Sequence, residues 1–251
     1  MLVSTAIILS MSLTAKDRLV LIRVKIERAK KHLREMEAEV VPIQNQNLHV
    51  FGMKDDPDTG QRRPYFGPLP IIPFNLIATG GDIAQNLRSA LDHLAWQLVS
   101  VGTPDAKPSR DTSFPICPSI KEYESRKGRK VKGMRPEAIA AIDALKPYKG
   151  GNGALWRLHE INNIDKHRLI LTIAHDCLFT GEDFMGGYWL KASDPLFDGI
   201  VSSEAKNEIH FGVDESLTKT EISERQALLP TLHQLVDFVD DLVSSFEPLL
   251  E

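Results

Sequence analysis

Leu19, Ile22, Ile26, Ala29, Leu33, Met36 and Val40 recur at alternating intervals of three and four. That is the period of a helix burying one face in a bundle. The spacing predicts a first helix over about 15–40, opened by Thr14 and Asp17 as a capping pair and stopped by Pro42. A second stripe, Ile83, Leu87, Ala90, Leu91, Leu94, Leu98 and Val101, predicts a helix over about 81–101. Pro136 opens a shorter helix to about 145, and a fourth runs from about 154 to 175. Leu228, Leu232, Leu235, Val239, Leu242 and Phe246 mark the last, with Pro230 in its first turn or kinking it.

Two stretches break this period. Asn47 to Met53 and Pro64 to Phe66 look like short strands around the turn-forming Asp55-Asp56-Pro57-Asp58-Thr59-Gly60. Tyr188 to Ala192 and Glu208 to Val213 form a second β-rich stretch, and Thr112 to Ile116 a short extended segment. The expected fold is mainly α: a bundle of four long helices plus a shorter one, with two short inserted β segments near 44–77 and 187–213. The 251 residues suit a single domain over 14–251. Residues 1–13 are expected to be disordered or a start-site extension, with Met11 as the more natural opening. Residues 1–10 are apolar but lack a basic flank and are too short to span a bilayer.

A net charge of −4 gives no general drive toward nucleic acid or an anionic membrane. The exception is 121–135, with seven basic and two acidic residues. It is +5, so the rest of the chain is −9. Arg126, Lys127, Arg129, Lys130 and Lys132 could track a phosphate backbone, with Tyr123 or Tyr148 stacking on bases. The plainer reading is a solvated loop. Cys117 and Cys177 form no metal or redox spacing, which favours a reducing, cytoplasmic setting without a disulfide framework.

The densest polar chemistry lies on the second helix. With about 100° per residue, Asp82, Asn86, Ser89, His93 and Gln97 share a stripe bordering the apolar face. Arg88 and Asp92 lie on the other flank at i,i+4 spacing, where they can pair. Asn is a poor mid-helix residue unless it bonds something, and His93 can titrate near neutrality. On the fourth helix, Asn162, Asp165 and Arg168 interrupt an apolar face and must find partners, in each other or in the second helix. Lys166 lies nearer His159 and Asn163, and His167 projects to the opposite side. These residues admit two readings: a network that fixes helix register, or a set orienting a catalytic histidine.

Arg88 and His93 have the spacing Arg-x4-His. This resembles the signature of the HEPN superfamily, helical bundles common among toxin and defence ribonucleases. The resemblance covers this motif and the all-α bundle. It implies a metal-independent endoribonuclease acting as a homodimer on RNA, with an antitoxin or other partner protein. His93 would be the general acid–base and Arg88 the phosphate-stabilising cation. Asn86 and Asp92 would orient them, and Asn162, Asp165, Lys166, His167 and Arg168 would support the site. The chain departs from the family in three ways: Ser89 follows the Arg where Asn is common, the motif sits on the second helix rather than late, and β segments enlarge the bundle. The segments Asn86 to Ala95 and Asn162 to Arg168 are also similar to those of a bacterial family of uncharacterised proteins, which carries no activity with it.

Other chemistries find less support. His159-Glu160 continues as Ile-Asn-Asn, so HExxH fails, and no Glu-x-x-His pair is present. No metal or other cofactor is expected. Gly-x-Ser-x-Gly is missing, and Gly150-Gly151-Asn152-Gly153 lacks the Lys-Ser/Thr of a phosphate loop. The main alternative to the ribonuclease is a non-enzymatic helical protein that binds a small ligand or a partner.

Overall fold

The computed structural model describes the backbone of residues 13–44, 51–55, 62–66, 73–168, 171–180, 204–213 and 226–251. It describes the side chains of 13–42, 73, 75–76, 78–163 and 229–251. The chain is mainly helical, as expected.

Helix α1 spans Ala15–Gln44. Thr14 and Asp17 cap it reciprocally: Thr14 N–H donates to Asp17 Oδ2 at 2.9 Å, and Asp17 N–H to Thr14 Oγ1 at 3.2 Å. The Thr14 hydroxyl and backbone N–H hold the Asp17 carboxyl below the usual carboxylate range. All seven seam residues from Leu19 to Val40 are buried. The helix does not stop at Pro42 but carries it inside its last turn, where the missing N–H and restricted φ are least disruptive.

Helix α2 spans Phe74–Ser100, entered through extended Pro73. It begins one to two turns before the expected Gly81. Arg18 Nη1 donates to Gln97 Oε1 at 2.6 Å, and Asn75 Nδ2 to Glu39 Oε2 at 2.7 Å. These ties make α1 and α2 antiparallel neighbours. Helix α6, Leu228–Ser245, runs antiparallel along α1. It is fixed by Arg23 to Ser244 (2.7 Å), Lys30 to Asp240 (2.6 Å) and His233 to Glu37 (2.6 Å). Pro230 falls in its first turn, and a 3-10 turn, Glu247–Leu249, follows it.

Between α2 and the last helix lie α3 (Ile120–Lys130), α4 (Pro136–Ala144) and α5 (Gly153–Arg168). The basic run is therefore largely a helix and not a loop. Ser119 caps it by accepting the Glu122 N–H at 3.2 Å. Glu122 sits in its first turn, and Lys127, Arg129 and Lys130 in its last. That order of charge suits the helix dipole. α5 ends at Arg168, short of the expected His175. Strand β3, Leu171–Thr180, follows it.

The β elements are β1 (Phe51–Asp55), β2 (Arg62–Phe66), β3, β4 (Glu204–Val213) and β5 (Gln226–Ala227). β1 and β2 form an antiparallel pair with Phe51 opposite Phe66. β3, β4 and β5 form an antiparallel sheet in that order, with Leu171 opposite Val213. The expected strand at Tyr188–Ala192 lies outside the described residues. The segment 112–116 forms no strand. Its successor Cys117 makes an isolated bridge to Tyr148.

The core is shared by the helices. Ile22, Ile26 and Met36 of α1 meet Ile83, Leu87, Leu91 and Leu98 of α2, Leu155 and Leu158 of α5, and Val239 and Val243 of α6. Phe114, from the loop before α3, is fully buried with them. That insertion positions the polar residues of α2.

Candidate functional site

Arg88 lies at the middle of α2 and is 8% exposed. A buried guanidinium needs acceptors. Its Nη2 donates to Asp92 Oδ1 at 2.8 Å and to the Phe114 carbonyl at 2.7 Å. The same Asp92 oxygen accepts the Phe114 backbone N–H at 2.9 Å. One helical turn thus satisfies both backbone groups of Phe114 and locks its ring into the core. Burial pulls the Arg88 guanidinium below its ordinary range, and the Asp92 charge partly restores it. Nη1 of Arg88 is buried and has no acceptor among the described residues.

His93 belongs to the exposed face of α2. Residues at i and i+5 of a continuous helix diverge by about 140°. Arg88 points inward and His93 outward, so the two do not share a cleft within one protomer. No hydrogen bond of the His93 side chain is seen among the described residues. Asn86 is accounted for locally: its Nδ2 donates to the Asp82 carbonyl one turn back, at 2.7 Å.

On α5, Asn162 is 2% exposed, and its Oδ1 is buried without a donor among the described residues. Asn163 bonds the His159 ring at 2.9 Å. Asp165, Lys166, His167 and Arg168 lie on the last turn of α5, and their side chains are outside the described residues.

The basic residues of α3 are largely engaged. Arg126 pairs with Glu122 at 2.8 Å, and Lys127 with Glu124 at 3.0 Å and Asp143 at 3.1 Å. Arg129 reaches Asp111 only at 4.0 Å. Lys130 Nζ turns inward and donates to Ser113 Oγ at 2.8 Å. Burial lowers the Lys130 ammonium pKa, and the Arg88 charge lowers it further. Lys132 is exposed.

The sequence reading missed how the segment before α3 completes this region. Ser113 and Phe114 are held between α2 and α3, and Cys117 lies buried close by. Burial pushes its thiol above the ordinary range, while Lys130 and Arg126 oppose that shift. Tyr123 is also buried and donates to Asp143 Oδ1 at 2.6 Å. Burial and that carboxylate raise its phenol pKa strongly. The Pro115 that limits the segment and the Arg88–Asp92 spacing were signals, but neither says that a loop inserts here.

Among the described residues no group of three or more His, Cys, Asp or Glu could hold a metal, and no helix is long and apolar enough to cross a membrane. The chain matches no protein-family model, no curated protein and no solved structure.

Proposed function

We propose that this chain is a non-enzymatic helical binding module for a small ligand, in which the polar residues of α2 hold the fold. We read its architecture as four long helices, α1, α2, α5 and α6, carrying the two β insertions and the shorter α3 and α4. The carrying observation is Arg88: it is 8% exposed and committed to Asp92 and Phe114, while His93 faces solvent on another side of the helix. A phosphate-stabilising cation must reach the reacting phosphate. Arg88 points into the core and His93 away from it, so the two do not meet one reacting phosphate within a protomer.

The second reading is the HEPN-like, metal-independent endoribonuclease, acting as a homodimer with RNA as substrate and an antitoxin or partner protein as regulator. The exposure of His93 favours it, as does the exposure of Arg126, Arg129 and Lys132. In that reading His93 acts with groups from a second copy. A mixed RNA pool incubated with the protein and EDTA separates the two readings. The binding module leaves the RNA intact. Cleavage that His93→Ala and Arg88→Ala both abolish, with folding retained, would overturn it.

A further inference from the structure

Among the described residues, the region between α2 and α3 carries one positive charge more than its carboxylates balance. Arg88 and Lys130 both bond the Ser113–Phe114 segment, Arg88 at the Phe114 carbonyl and Lys130 at the Ser113 hydroxyl. Among the described residues they have one carboxylate between them, Asp92. Its Oδ1 already serves Arg88 Nη2 and the Phe114 N–H. Arg126 and Glu122 balance each other. The partner of Lys130 among the described residues is a neutral hydroxyl, Ser113 Oγ. Cys117 does not supply the missing charge, because burial keeps its thiol in the neutral form. Arg88 Nη1, buried without an acceptor, is the donor left over.

A charged donor buried without an acceptor is costly, and the repulsion of Lys130 by the nearby Arg88 charge adds to that cost. A water molecule could take the N–H groups of Nη1 but would leave the charge uncompensated. An anion with several acceptor oxygens does both. Arg presents a planar fork to such a group, and Lys adds a point charge.

The geometry points to a phosphate-binding site formed by Arg88 Nη1, Lys130 Nζ and Ser113 Oγ, which takes the phosphate group of a small ligand or free phosphate. This names the ligand chemistry of the binding module and rests on that reading. The site lies on the inward flank of α2, away from His93, and asks no chemistry of it. Ser113 and Lys130 are both partly exposed, so the anion enters by parting their hydrogen bond.

The test is titration of the full-length protein at low ionic strength with inorganic phosphate and, separately, glycerol 3-phosphate. Calorimetry and the thermal midpoint are followed, with sodium chloride at matched ionic strength as control. At least one phosphate compound should bind saturably and raise the midpoint beyond the chloride control. Tighter binding of the inorganic ion would identify free phosphate as the ligand, and tighter binding of the ester a phosphorylated small molecule. Lys130→Gln should weaken binding about tenfold or more, as expected for loss of a charge-assisted contact. Lys121→Gln, at an exposed position in the first turn of α3, should leave it within about twofold. Arg88→Met is not used alone, because it also releases Phe114. If neither compound exceeds the chloride control, or if Lys130→Gln binds like wild type, the site is refuted. RNA cleavage would instead overturn the non-enzymatic reading while leaving the phosphate titration to stand or fall on its own.

Discussion

Removing Asp92 should damage this protein more than removing the arginine it holds. In Asp92→Ala the Arg88 guanidinium, 9% exposed as a side chain, loses its carboxylate. The Phe114 N–H loses its acceptor as well. Breaking a buried pair from one side costs about 3–5 kcal/mol. The Asp92 side chain is itself 36% exposed, so water screens part of that loss, and about 2–3 kcal/mol is expected. Arg88→Met keeps an apolar stem of similar length and removes the buried charge. It leaves the Phe114 carbonyl unpaired, while Asp92 can turn to water. Its cost should be nearer 1–2 kcal/mol. The double variant should cost less than the sum of the two, with a coupling of about 1 kcal/mol or more. Urea unfolding followed by tryptophan fluorescence measures all three, provided the dependence on urea keeps its slope. An Asp92→Ala loss below about 0.5 kcal/mol, or a fully additive double variant, would refute the claim that this pair anchors Phe114.

The phenol of Tyr123 supplies a test against pH. Its folded pKa lies above the unfolded value of about 10, because of burial and Asp143. Its contribution is therefore fully present below that value and lost as pH rises through the folded pKa. Wild-type stability minus that of Tyr123→Phe should fall as pH is raised above about 10; a difference that stays flat or grows there would count against the buried Tyr123–Asp143 bond. Gly102 sits where a Cβ would come 1.8 Å from the Gly133 carbonyl oxygen. Gly102→Ala should lower stability by about 1–3 kcal/mol through that clash, read as a lower thermal midpoint; an unchanged midpoint would mean the 102–133 approach is looser than described.

Much of the helical frame was legible in the residue pattern, because a bundle seam needs an apolar residue at every turn and α1 supplies one from Leu19 to Val40. The cap at Thr14 and Asp17 was legible for the same local reason. α3 was missed because its eleven residues carry mostly charge, which reads as a loop when only apolar spacing is followed. The signal was Ser119 three residues before Glu122, a capping box at the helix start. The end of α5 was missed because Leu169-Ile170-Leu171-Thr172-Ile173 suits a buried helix and a strand equally well, and periodicity cannot separate them in so short a run. At the candidate site, the Arg88–Asp92 pair followed from i,i+4 spacing. Its role did not, since Phe114 is 26 residues from Arg88 in the chain. Lys130 was legible only as one of a run of cations. Its inward turn toward Ser113 depends on how α3 packs, which no local pattern encodes.

The most direct test of the central claim is the fate of RNA. Folded wild-type protein, His93→Ala and Arg88→Met are each incubated with a mixed RNA pool in EDTA, and fragments are resolved over time against a buffer control. A binding module whose Arg88 serves the fold leaves all three samples at the buffer rate. Fragments produced by wild type and lost in both folded variants would contradict it and make Arg88 and His93 parts of one catalytic site.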